Sequence, residues 1–217
     1  MKFFIDSANV DEIKALCETG IVDGVTTNPS LIMQSGGNFS ENLREICKVV
    51  DGPVSAEVTA TTYDAMLKEG YKLTELADNI VIKVPLTPDG VRACKVFTED
   101  KLEVNMTLCF SASQAIVAAK AGATFISPFV GRLDDIGHEG MNLISDIVNI
   151  YKNYNYPTEV LVASIRNTQH IIDAALIGAS VVTVPPKIVW QMFDHPLTDS
   201  GLLQFLNDWK KTGESIL

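Results

Sequence analysis

Residues 79–85 read NIVIKVP. Ile80, Val81, Ile82 and Val84 stand side by side rather than at alternate positions, so the run predicts a short strand covered on both faces, as in a parallel sheet between helices. Lys83 interrupts it. Removing an ammonium group from water costs on the order of several kcal/mol, so this lysine needs a reason.

Runs of the same kind recur along the chain: KFFIDS (2–7), GVTTNP (24–29), PVSAEV (53–58), VNMTLC (104–109), TFISPF (124–129), EVLVAS (159–164) and SVVTVP (180–185). Helical spacing lies between them, as with Ile13, Leu16 and Cys17, or Ala115, Ile116 and Ala119. Eight strand-then-helix units predict an α/β protein, a (β/α)8 barrel closed on itself. A doubly wound open sheet is the alternative. It would normally carry a Gly-rich phosphate loop at its switch point, and neither G-x-G-x-x-G nor a Walker sequence occurs.

With 217 residues, 47% of them hydrophobic, and no linker or low-complexity tract, the chain reads as a single domain over 1–217. KIVWQMF (187–193) is the expected eighth helix. DSGLLQFLNDWKK (199–211) adds another, with Leu202, Phe205, Leu206 and Trp209 on one face, to pack on its own barrel or on a neighbouring subunit.

A net charge of −10 argues against nucleic acid or an anionic membrane as partner. An anionic ligand would therefore need a local basic site. Met1–Ile5 meets Asp6 too soon for a secretory signal, and the other apolar runs fall short of the roughly 18 residues of a membrane span. Cys17, Cys47, Cys94 and Cys109 are scattered without a C-x-x-C pair, as expected of reduced thiols in a cytoplasmic protein. His138, His170 and His195 are too dispersed for a metal site.

In such barrels the active site lies at the C-terminal ends of the strands. Those ends carry Asp6, Asn28, Glu57, Lys83, Asn105 with Thr107, Ser127, and Ser164 with Arg166; the eighth strand offers Thr183 before Pro185. Helix capping explains such residues in general, and Asn28 followed by Pro29 is a good cap and first-turn pair. Other helices have caps of their own: Asn9 with Glu12, Thr62, Ser111 with Gln114, and Asn167. Asp6, Glu57 and Lys83 are then charged groups sharing one narrow mouth. They form either an ion-pair network or a reaction centre. An amine flanked by Val81, Ile82, Val84 and Pro85 is pushed by desolvation toward its neutral, nucleophilic form, and lysines in that state make Schiff bases.

The stretches FFIDSANVDEI, GVTTNPSL, PVSAEV, IVIKVPLTPDG, NMTLCFSASQA, SPFVGRLDDIGHEG, VLVASIRN and HPLTDSGLLQFLNDW span the chain. Together they resemble the transaldolases, in particular the small single-barrel subfamily that includes fructose-6-phosphate aldolase. The resemblance implies that Lys83 forms a Schiff base with a ketose, that Asp6 takes the proton of the C4 hydroxyl, and that Glu57 and Thr107 position a catalytic water. It implies substrate contacts from Asn28, Asn105 and Ser127, and phosphate binding by Arg132, Ser164 and Arg166. Two arginine forks would supply the basic site this acidic chain otherwise lacks. Taken alone, Arg132 has a salt bridge to Asp134 or Asp135 as its alternative, whereas Arg166 has no acidic neighbour in sequence.

Glu57 and Phe129 resemble transaldolases; the aldolase branch carries glutamine and tyrosine there. The resemblance thus implies transfer of a three-carbon ketol unit between sugar phosphates, with no cofactor and no metal. Aldolase-type cleavage and a non-catalytic sugar-phosphate-binding barrel are the alternatives. It also implies a homo-oligomer, a pentamer or decamer, with the last helix crossing to a neighbour.

Overall fold

The computed structural model describes residues 1–36 and 38–216. Among them run β1 (Lys2–Asp6), α1 (Val10–Cys17), β2 (Gly24–Thr26), α2 (Pro29–Ser35), α3 (Phe39–Val49), β3 (Val54–Glu57), α4 (Tyr63–Thr74), β4 (Ile80–Pro85), α5 (Pro88–Glu99), β5 (Val104–Cys109), α6 (Ala112–Ala121), β6 (Phe125–Pro128), α7 (Val130–Asp134), α8 (Gly140–Tyr154), β7 (Glu159–Val162), α9 (Thr168–Ile177), β8 (Val181–Val184), α10 (Pro186–Gln191) and α11 (Pro196–Thr212). Each strand pairs in parallel with the next, and β8 pairs with β1 through Phe4 and Thr183, closing a barrel. The fold is a (β/α)8 barrel with an added C-terminal helix, and the open-sheet alternative falls away. Each strand lies inside the run predicted for it. The most shortened is β2, which stops at Thr26 because Asn28 and Pro29 already begin α2.

Pleating splits the apolar run of β4 between two cores. Ile80, Ile82 and Val84 join the layer between strands and helices, while Val81 points inward with Phe4, Phe125, Leu161, Ala163 and Val181 to plug the barrel. Burying each such side chain contributes about 1.5–3 kcal/mol. Phe4 and Phe125 meet edge to face at 5.7 Å, and Gly24 leaves room for them, since a Cβ there would stand 2.7 Å from the Phe4 ring.

Most caps form as expected. Asn9, Ser111 and Asn167 accept from first-turn amides. Two details differ. Glu12 reaches Ser7 Oγ (3.1 Å), which in turn accepts from Asn9 N, so the α1 box closes through a relay rather than directly. Thr62 makes no side-chain cap bond; Asp89 on the next helix accepts from Tyr63 N at 3.0 Å and fills that role.

Cys94 and Cys109 are buried free thiols pushed up to about 12 by that burial. Helix α11 starts three residues earlier than expected, because His195 Nδ1 accepts from Leu197 N and Pro196 opens the first turn. None of its residues is buried: Leu202, Leu203 and Phe205 are 58%, 62% and 72% exposed. The apolar side of this helix is thus left open by the barrel. Among the described residues no helix is long and apolar enough to cross a membrane.

Candidate active site

Above the apolar plug the inner faces of the strands turn polar. Glu57, Lys83 and Asn105 are paired in register across β3, β4 and β5, which sets their side chains on one interior level. Lys83 is 4% exposed. Its Nζ lies 2.9 Å from Glu57 Oε2 and donates to the carbonyl of Thr27 at 3.0 Å. This corrects the picture of a lone amine dried by its strand neighbours. Of its strand neighbours Val81 and Pro85 share its face while Ile82 and Val84 point away, and the ammonium is compensated by a carboxylate, as buried charges must be.

Asp6 ends β1, half-buried and near enough to Lys83 to feel its charge, with Oδ1 accepting from Thr26 Oγ1 at 2.8 Å. Burial raises its carboxyl above the usual aspartate range, against the opposing pull of Lys83 and the Thr26 bond, and Glu57 adds a smaller push upward. Thr107 Oγ1 is buried with no hydrogen-bond partner among the described residues. Such an orphan is costly unless a ligand or water meets it. Just beyond it, Leu108 takes a left-handed φ of 60° where the β5–β6 register slips, so the strand bends at the rim. Ser127 Oγ donates to Asn105 Oδ1 (2.7 Å), and Asn105 Nδ2 donates to Ser55 Oγ (3.1 Å).

A pocket of about 210 Å³ opens at this end of the barrel. Asp6, Asn28, Lys83 and Ser127 line it together with Phe129, Arg132, Ser164 and Arg166, among others. Glu57, Asn105 and Thr107 do not line it; Glu57 and Asn105 pair with Lys83 in register, and Thr107 is buried further along β5. A larger surface cleft of about 380 Å³, lined by Glu57 and residues of α4, contains neither Lys83 nor an arginine, so Glu57 faces this cleft while its partner Lys83 lines the smaller pocket with both arginines.

Asn28 does cap α2, with Oδ1 accepting from Leu31 N at 3.0 Å. It lines the pocket as well, so the capping bond does not take it away from the site. Phe129 packs edge to face on Phe110 at 5.7 Å, and the Arg132 guanidinium carbon lies 5.0 Å from its ring centroid. Arg132 makes no salt bridge to Asp134 or Asp135. Those carboxylates go elsewhere: Asp135 pairs with Arg166 at 2.9 Å and Asp134 with His170 Nε2 at 3.2 Å. Arg166 thus has an acidic neighbour after all, 31 positions away, brought in by the loop after β6.

Gly131 explains how the arginines come together. A Cβ there would stand 2.3 Å from the Ser164 carbonyl and 2.5 Å from Arg166 Nε, so only glycine lets Arg166 lie across the start of α7 beside Arg132. Ser164 holds a left-handed φ of 61°, backbone strain of the kind found at functional sites. Sequence reasoning passed over Thr26, which touches Asp6 and lines the pocket. The signal available was its place at the end of β2 opposite Asp6.

A (β/α)8 barrel thus holds a buried lysine paired with one carboxylate and within the influence of a second, and that lysine shares one small pocket with two guanidinium groups. The model of the transaldolase/fructose-6-phosphate aldolase family matches residues 3–216, and the chain belongs to that family of enzymes. It is 60% identical over 217 residues to a "Probable transaldolase" of Dinoroseobacter shibae, all of both chains being covered. Proteins of the same description from Chelativorans sp. (60% over 216 residues) and Bartonella bacilliformis (57% over 216 residues) are likewise covered end to end.

Proposed function

We propose that the chain is a transaldolase that moves a dihydroxyacetone unit from fructose 6-phosphate or sedoheptulose 7-phosphate to erythrose 4-phosphate or glyceraldehyde 3-phosphate, in the non-oxidative pentose phosphate pathway. The observation that carries this reading is the contact of Lys83 Nζ with Glu57 Oε2 at 2.9 Å, the lysine itself lining one pocket with Arg132 and Arg166.

The ammonium of Lys83 gives a proton to Glu57 and the amine attacks C2 of the ketose. The carbinolamine loses water, with Glu57 returning the proton, to leave a protonated imine. Thr107, whose buried hydroxyl has no partner among the described residues, would hold a water for these transfers. Asp6 then takes the C4 hydroxyl proton, the bond between carbons 3 and 4 breaks, and its electron pair flows into the imine to give an enamine while an aldehyde leaves. The acceptor aldehyde reverses these steps. Asn28, Asn105 and Ser127 bind hydroxyls, directly or through one another. Arg132, Ser164 and Arg166 hold the phosphate, for which a guanidinium fork is well shaped. Phe129 has no proton to give the enamine, which favours transfer over the aldolase alternative.

The exposed apolar side of α11 supports a homo-oligomer, a pentamer or decamer, in which that helix lies on a neighbouring subunit. Four free thiols fit a reducing cytoplasm. The test is to incubate the protein with fructose 6-phosphate and borohydride and analyse the peptides by mass. A three-carbon adduct on Lys83 is expected; an unmodified lysine would sink the proposal.

A further inference from the structure

Asp6 is flanked on both sides by threonines from adjacent strands. Thr26 ends β2 opposite it in register, and Thr183 lies on β8, paired with Phe4 two residues before it. Thr26 Oγ1 is 2.8 Å from Asp6 Oδ1 and 2.6 Å from Thr183 Oγ1. Both threonines are 2% exposed, so bulk water does not compete for these bonds. The mechanism above uses neither hydroxyl.

Proton counting fixes the direction of the chain. A hydroxyl has one proton to donate, and an ionised carboxylate has none. With Asp6 ionised, as a base has to be, Thr26 donates to it, which leaves nothing to give Thr183, so Thr183 donates to Thr26. Bonds aligned in this way polarise one another, making Thr26 a better donor than an isolated hydroxyl. Oδ1 of Asp6 is thereby occupied, while Oδ2 has no hydrogen-bond partner among the described residues.

We propose that Thr183 and Thr26 form a one-way hydroxyl relay that locks the Asp6 carboxylate, so that Oδ2 alone receives the substrate's hydroxyl proton and later returns it. Both are positioning residues, since they act through Asp6. The proposal rests on the reading of Asp6 as the proton acceptor. In the forward step the C4 O–H bond breaks, its proton passes to Oδ2 and the carbon–carbon bond pair enters the imine; in the return step Oδ2 protonates the oxygen of the incoming aldehyde as the new bond forms. The other charged groups facing Asp6 are Lys83 from β4, which favours its ionised form, and Glu57 from β3, which opposes it. Arg132 and Arg166 share the pocket. The relay adds to the side of Lys83, keeping a buried carboxylate ionised enough to act as a base.

The test compares pH profiles of kcat/KM for transfer from fructose 6-phosphate in the parent, Thr26→Val, Thr183→Val and the two serine variants. Losing the donor makes Asp6 easier to protonate, so the acidic limb of Thr26→Val should rise by roughly 0.5–1 pH unit, with kcat down about tenfold and KM nearly unchanged. Thr183→Val should show a smaller shift of the same sign, and both serine variants, which keep the hydroxyl, should return the limb to its place. A limb that stays put in Thr183→Val overturns the relay, and this variant decides the matter alone where Thr26→Val does not fold. Borohydride trapping on the same samples separates the two ideas. No adduct in the parent ends the transaldolase reading itself, whereas adducts throughout with unmoved limbs end only the relay.

Discussion

Lys83 Nζ and Glu57 Oε2 stand 2.9 Å apart, on neighbouring strands at paired positions. Their side chains are 5% and 15% exposed, so neither charge can turn to bulk water when the other is lost. Lys83→Met should therefore lose about 3 kcal/mol of stability as well as all adduct formation, because breaking a buried pair strands one ion. Adding Glu57→Gln to that variant should recover much of the loss. Urea unfolding at pH 7 measures both; a double variant no more stable than the single one would contradict the pairing.

Asp6 pulls stability and activity in opposite directions. Its folded-state carboxyl is raised, chiefly by burial, so the stability it contributes is present below its unfolded value of about 3.9 and is lost as pH rises through the folded value. Asp6→Asn should thus be more stable than the parent at neutral pH, with the gain shrinking as pH falls toward about 3.9. Turnover should drop by roughly 10²-fold or more with the base removed. Denaturant curves at several pH values, set beside rates, check the sign.

At Gly131 the expected effect is on phosphate. An added Cβ collides with the Ser164 carbonyl and with Arg166 Nε, so Gly131→Ala should raise KM for a phosphorylated donor by about tenfold or more, the scale of one weakened charge-assisted bond. A non-phosphorylated ketose such as dihydroxyacetone should be affected much less. Equal losses for both substrates would place the damage elsewhere.

Phe129→Tyr adds a proton donor to the pocket wall beside Arg132. Release of free dihydroxyacetone in the absence of an acceptor should rise by about 10²-fold, the lower range for a positioned general acid. An unchanged ratio of release to transfer would show that the missing hydroxyl is not what holds the enamine.

Helix α11 exposes Leu202, Phe205 and Leu206. Leu202→Asp with Phe205→Asp should convert the oligomer to monomers in sedimentation velocity, because desolvating two carboxylates would offset the apolar burial that drives association. A parent that already sediments as a monomer would remove the oligomer from the proposal.

The strand-and-helix alternation was legible because each strand is a compact β-branched run and both faces of the sheet are covered. Lys83, Asp6 and Glu57 stood out because a charge in or beside such a run has few structural explanations. What stayed hidden depends on loops and on register. The Asp135–Arg166 pair joins residues that only the β6 and β7 loops bring together. Asp89 caps a helix other than its own. Thr26 looks like an ordinary strand threonine, and Thr183, though visible as the polar end of the eighth strand, shows no link to Asp6 until barrel closure places the two on either side of it.

That closure has a consequence for how the protein is made. The pairing of β8 with β1 joins the last strand to the first, so the Thr183 hydroxyl can reach Thr26, and through it Asp6, only once β8 has been made and has closed the barrel. A nascent or truncated barrel would carry Lys83 without its full set of proton-handling neighbours. On the proposed relay, a chain whose β8 has not yet paired with β1 would lack the support that the closed ring gives Asp6.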